Sequence, residues 1–181
     1  MPERIGDWIL TFTGVEFYPL DPRPQEVNIV DIAHALSMKC RFTGHTREFY
    51  SVAEHSYWVS MLVPTKYALA ALLHDASEAY LCDVARPVKH LPEMFGYRRA
   101  EFLVTDAIRD KFKLPADSFY TKTADDLMLS IEAKFLMPDH PCWGALTPIP
   151  EKYKNFLLAA WSHTSAEMHF LRRFKDLTGA L

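Results

Sequence analysis

Apolar positions recur at three- and four-residue spacing along most of this chain, a periodicity that predicts helices separated by short polar or proline-bearing turns. Ile29, Ile32, Ala33 and Leu36 share one helical face behind Asn28, a good N-cap, so a helix is expected over residues 28–38 with His34 on its apolar side or edge. Ser51 and Glu54 stand at capping-box spacing and predict a second helix over 52–62. Pro64-Thr65 breaks that pattern, and a third helix is expected over 66–81, ending before Arg86-Pro87 and packed as an antiparallel hairpin with the second. A fourth is expected over 95–112, with Phe102, Leu103, Ala107, Ile108 and Phe112 on its buried stripe. A fifth covers 118–137, stopped by Pro138-Asp139-His140-Pro141. Tyr153, Phe156, Leu157, Ala160, Trp161, Met168, Leu171 and Phe174 predict a last long helix over 151–177. Ahead of all these, residues 8–28 are rich in proline and read as an extended arm or hairpin, with the fold proper starting after it. The expected architecture is all-α: one helical-bundle domain, with its core over about 28–177 and a short irregular N-terminal arm.

Composition narrows the classes of function. A chain of 181 residues, 49% of them hydrophobic, can bury a substantial single core. Its formal net charge of −3 carries no polybasic signature, so polymeric nucleic acid is not an expected partner. The N-terminus shows no basic stretch followed by an apolar run, and no apolar run approaches the roughly 20 residues a membrane-crossing helix needs. Cys40, Cys82 and Cys142 lie far apart with no CxxC pairing, which fits a reducing cytoplasm. Trp161, Phe170 and Phe174 on the terminal helix either complete the core or form a face for homo-oligomerisation.

One polar interruption carries the chemistry. The apolar run Tyr67-Ala-Leu-Ala-Ala-Leu-Leu73 meets His74-Asp75, where a buried charge costs several kcal/mol (about 2–7 for a polar group) unless a metal or hydrogen bonds compensate it. His55 lies on the preceding helix, and Asp125 or its neighbour Asp126 on a later one. Two imidazoles and two carboxylates from three helices suit one divalent first-row metal, with Co, Mn, Zn, Ni and Fe all compatible. A lone helical histidine is more often structural, and that reading is kept for His34, His90, His140, His163 and His169. Glu78 shares a helical face with His74, as a salt-bridge partner or a functional acid. Arg41 and Lys89 read equally as surface charges or as phosphate partners, and Phe17, Tyr18 and Phe42 more often as core than as a ligand platform.

The ordered segments Ser51-Val-Ala-Glu-His55-Ser56, His74-Asp75-Ala76-Ser77-Glu78, Leu81-Cys82-Asp83-Val84, Pro87-Val88-Lys89 and Lys122-Thr123-Ala124-Asp125 resemble the successive motifs of HD-domain nucleotide phosphohydrolases. The likeness is to the bacterial deoxyribonucleoside 5′-monophosphatase group and its phage relatives, and spans residues 28–137. It implies His55, His74, Asp75 and Asp125 as ligands of one metal, and favours Asp125 over Asp126. It implies Glu78 as the residue that activates or relays a proton to water and Asp83 as a contact to the sugar or the reacting end. Arg41 matches an arginine that grips phosphate, with Phe42 where the family has a tryptophan, and Lys89 or Lys122 would add positive charge. The implied ligand is a small deoxynucleotide, and the implied activity 5′-deoxynucleotidase action on monophosphates. Alternatives within the resemblance are a triphosphohydrolase, for example on dATP, a cyclic-nucleotide phosphodiesterase, and a non-catalytic nucleotide-binding module.

Overall fold

The computed structural model describes residues 4–115 and 118–180. Its architecture is all-α: among the described residues eight α-helices accompany one two-stranded ribbon, β1 (Ile9–Leu10) paired antiparallel with β2 (Glu16–Phe17). The helices are α1 (Ile29–Ser37), α2 (Val52–Met61), α3 (Thr65–Leu72), α4 (Glu78–Leu81), α5 (Arg86–Lys89), α6 (Phe95–Phe112), α7 (Phe119–Leu136) and α8 (His163–Thr178). None of them is long and apolar enough to cross a membrane.

Local chemistry sets several of the starts. The Asn28 side chain accepts from the Val30 N–H, Ser51 from Glu54 and Ser118 from Tyr120, each satisfying a donor the first helical turn leaves unpaired. α2 is central: it packs against α1, α3, α7 and α8. The main cluster joins Ile32 and Leu36 of α1, Val52 and Ala53 of α2, Val104 and Ile108 of α6, and Phe170 and Phe174 of α8. A second cluster gathers Val59, Ala71, Ala124, Met128 and Ile131 where α2, α3 and α7 meet. The core also reaches into the arm, because Phe17 is fully buried in the main cluster and stacks on Tyr80 with ring centroids 3.9 Å apart.

Three expectations are corrected. The helix expected over 66–81 is two helices, α3 and α4, separated by a turn at Leu73–Ser77. The helix expected over 151–177 begins only at His163, where Ser162 caps it by accepting from the Ser165 N–H. Before that cap the chain runs irregularly past α2 and α7, with Tyr153, Phe156 and Leu158 packed on the second cluster. Fully buried Glu54 holds this strap by accepting from the Trp161 N–H at 2.7 Å, rather than turning back to Ser51 as a full capping box requires. Phe102 lies outside the buried stripe of α6 and is 67% exposed, since Ala100, Val104, Ala107 and Ile108 take the inward positions. Of the two readings left open for the aromatics of the terminal helix, Phe170 and Phe174 take the core one.

Candidate metal centre

The turn between α3 and α4 lets His74 and Asp75 point to one place. In a regular α-helix successive side chains diverge by about 100°, so neighbours cannot converge. Here Leu73 still bonds back to the Leu69 carbonyl at 3.1 Å, but Ala76 bonds to Leu73 at 3.1 Å and Glu78 to Asp75 at 3.0 Å, the tighter i to i−3 pattern. His74 Nδ1 donates to the Ala71 carbonyl at 2.8 Å, which leaves Nε2 facing inward, 3.2 Å from Asp75 Oδ2.

α2 and α7 supply the other half. His55 is fully buried, and its Nδ1 donates to Glu132 Oε1 at 2.6 Å. Its Nε2 lies 3.3 Å from His74 Nε2, 3.3 Å from Asp125 Oδ1 and 3.7 Å from Asp75 Oδ2. With both Nδ1 atoms committed as donors, each imidazole in its metal-binding, neutral form turns its Nε2 lone pair toward the other ring and toward two carboxylates. A cluster made only of acceptors calls for a cation. The separations of 3.2–4.0 Å also fit the edges of a polyhedron built on metal–ligand bonds of about 2.0–2.2 Å, so the donor set fits a divalent metal. His55, His74 and Asp125 each offer a ligand atom within 4.8 Å of the others, and Asp75 borders the same space.

The electrostatics follow from this crowding. Burial disfavours a charged His74, but Asp75 and Asp125 outweigh it and raise its pKa to about 9. Burial likewise opposes the charge on Asp125, yet His55 and His74 pull it down to about 2, and Asp75 is held well below the carboxylate range by His74, His55 and Arg41. Glu132 is fully buried between His55 and Arg41, and Arg41 donates to its Oε2 through Nε at 3.1 Å and Nη2 at 3.0 Å. Burial pushes its carboxyl up, and Arg41 with His55 brings it below its ordinary value. Glu132 escaped the sequence reading. Its signal was spacing, seven residues after Asp125 and hence two turns along the same face of α7, in the otherwise apolar run Ile131-Glu132-Ala133.

Arg41 is placed by backbone pairing, since its N–H bonds to the Tyr50 carbonyl at 2.9 Å while Val52 bonds back to Lys39 at 3.0 Å. Its guanidinium is shared between Glu132 and Asp75, with Nη1 3.7 Å from Asp75 Oδ2. Phe42 adopts a left-handed conformation with φ of 53° and meets Trp143 edge-on at 6.4 Å. Glu78 opens α4 beside the ligands; burial, then Asp75 and Asp83, push its carboxyl up to about 9, and its buried Oε2 has no hydrogen-bond partner. Asp83 is exposed beyond Cys82, and Lys122 is exposed and paired with Asp126, 3.8 Å from Asp125 Oδ2. Lys89 is paired with Glu101 and lines a cleft of about 400 Å³ that reaches His74, Asp75 and Glu78. The four candidate ligands, Arg41 and Glu78 thus come together, Lys89 flanks them, Phe42 lies under the Arg41 guanidinium at 5.5 Å, and Asp83 and Lys122 are exposed.

No family model matches the chain, but curated proteins are similar to it in sequence. It is 40% identical over 174 residues to Uncharacterized protein YfdR of Escherichia coli (strain K12), a match covering 94% of this chain and 96% of that one, and it belongs to the YfdR family. Uncharacterized protein RCAP_rcc00048 of Rhodobacter capsulatus is 39% identical over 118 residues, 60% of each chain.

Proposed function

We propose that the protein is a metal-dependent phosphohydrolase of the HD type that cleaves the 5′-phosphate ester of deoxynucleoside monophosphates. The observation that carries this reading is the convergence of His55 Nε2, His74 Nε2 and carboxylates of Asp75 and Asp125 on one acceptor-only space. A divalent transition metal held by these four would supply Lewis-acid stabilisation of charge developing on a phosphoryl oxygen. Glu132 and the Ala71 carbonyl fix the tautomers that keep both Nε2 atoms available, the outer-shell role such partners commonly serve. Glu78 offers an unpartnered carboxyl oxygen beside the ligands, and a divalent cation there would offset the burial and the Asp75 charge that hold its proton, leaving a carboxylate suited to take the proton of an attacking water. As water adds to phosphorus the bond to the 5′-oxygen breaks, and the resemblance assigns assistance at that leaving oxygen to Asp83, which is exposed just beyond α4. Arg41 keeps its charge against burial and faces Asp75, so phosphate approaching the ligands meets a fixed cation. The three free cysteines support a reducing, cytoplasmic setting.

The test is a panel of all deoxynucleoside mono- and triphosphates, with cyclic nucleotides, against Co, Mn, Zn, Ni and Fe. Free phosphate from monophosphates is the expected product, whereas triphosphate release or cyclic-nucleotide turnover would replace this reading with those alternatives. Replacing His74 or Asp75 by Ala should remove bound metal and turnover together. Undiminished turnover in a variant shown to be metal-free would overturn the proposal.

A further inference from the structure

Lys134 stands two positions beyond Glu132 on α7, about 200° round the helix, and so on the side turned away from the metal centre. With Ser130, Ala133 and Met137, at three- and four-residue spacing, it lines a cleft of about 600 Å³ that Arg47 and the strap after α7 complete. None of the residues lining it lines the cleft beside His74. Its volume falls within the range of small-ligand sites. Its charges are unspent. Arg47 is fixed through its backbone, since its N–H donates to the Leu136 carbonyl at 2.9 Å, one that the last turn of α7 leaves open. Its guanidinium makes no hydrogen bond or ion pair among the described residues. Lys134 Nζ meets the Lys154 carbonyl at 3.4 Å, the long limit of a hydrogen bond, and lies 5.1 Å over the Phe135 ring. Asp139 also lines the cleft but pairs with neither cation among the described residues, so a net positive charge remains. Trp143 spends its Nε1–H on the Pro138 carbonyl at 3.1 Å, and its indole offers the cleft an apolar ring.

We infer that this cleft is a second small-molecule site, for an aromatic anion of nucleotide size: Trp143 packs against its ring, and its phosphate pairs with Arg47, aided by the charge of Lys134. A guanidinium presents a planar fork of donors that a phosphate fills with two bonds, and every base offers a π-face to an indole. Met137 and Ile149, which also line the cleft, suit the apolar part of such a ligand. The site stands apart from the reacting centre and does not depend on the hydrolytic reading. A chain of contacts joins the two: Trp143 meets Phe42 edge-on at 6.4 Å, and the Phe42 ring lies 5.5 Å from the Arg41 guanidinium. Occupancy of the cleft therefore has to be told apart from changes relayed from the metal centre.

The 4 tryptophans of the full-length protein each give an indole N–H signal in heteronuclear NMR, and Trp143→Phe assigns the one from the cleft. The probe is the methylenephosphonate analogue of dAMP, whose carbon–phosphorus bond resists hydrolysis. It is expected to shift the Trp143 signal saturably. Arg47→Gln keeps the backbone bond to Leu136 and should raise the dissociation constant read at that signal about ten- to a hundredfold, with Lys134→Gln raising it by a smaller factor. Deoxyadenosine and inorganic phosphate, each carrying one part of the ligand, should both bind there more weakly than the analogue. A Trp143 signal unmoved by millimolar analogue overturns the site. So does a shift that Arg47→Gln leaves unchanged, because it is then relayed from the metal centre. Turnover is read separately: a wild type that hydrolyses no nucleotide but shows the Trp143 titration loses the phosphohydrolase reading and keeps this site, and an active wild type with a silent Trp143 does the reverse.

Discussion

Replacing Glu132 by Gln keeps the side-chain volume and removes only the charge and half of the acceptor capacity of a fully buried group. Glu132 accepts from His55 Nδ1 at 2.6 Å and twice from Arg41, at 3.1 and 3.0 Å. An amide has one oxygen for these two partners, so its NH2 must face a donor. Breaking a buried ion pair costs about 3–5 kcal/mol. Arg41 retains Asp75 at 3.7 Å, which places Glu132→Gln toward the lower end, at about 3 kcal/mol, or a Tm lower by roughly 6–12 °C for a chain of this size. Metal affinity should fall about 10–100-fold as the His55 ring loses its anionic anchor. The assay pairs urea unfolding of the metal-free protein with metal titration of both proteins. Its pH dependence has a defined sign. Because the folded carboxyl of Glu132 lies below its ordinary value of 4.5, the stability it adds is present above that value and is lost as pH falls through the folded pKa. The gap between wild type and variant should therefore be full at neutral pH and close in acid. Equal stability and equal metal affinity at pH 7 would refute the claim that Glu132 orients the centre.

Two further outcomes test the fold around it. Phe170→Ala empties a fully buried position of the main cluster and should cost about 3–5 kcal/mol in a denaturant titration; a loss under about 1 kcal/mol would mean the packing of α8 is misassigned. Cys82 holds φ 68° and ψ 155°, a region nearly reserved for glycine and costing of order 1–3 kcal/mol. Cys82→Gly should thus raise thermal stability by about 1 kcal/mol after the added unfolded-state entropy, and a drop in Tm would show that the thiol's contacts outweigh the backbone conformation.

Much of the chain declared itself locally. Caps at Asn28 and Ser51 were readable because each bonds an N–H two or three residues away, so no distant partner is needed. α6 begins and ends where the apolar pattern places it, at Phe95 and Phe112. The terminal segment misled for the opposite reason: Tyr153 and Phe156 imitate helical spacing but pack on the cluster where α2, α3 and α7 meet, Trp161 packs on Tyr57, Trp58 and His169, and the Ser162 cap sets the true start. Phe102 was misassigned because α6 carries apolar residues on more than one side, and only its neighbours determine which side is buried.

Residue chemistry alone determined an all-α chain and nominated two imidazoles and two carboxylates as a set, because ligand type and helix periodicity are properties of the sequence. Only the tertiary structure decided how they meet. A turn replaces helix at Leu73–Ser77 so that adjacent side chains converge, Glu132 reaches His55 from 77 positions away, and Arg41 turns to that same carboxylate. These are consequences of which helices pack together, and no local pattern encodes that pairing.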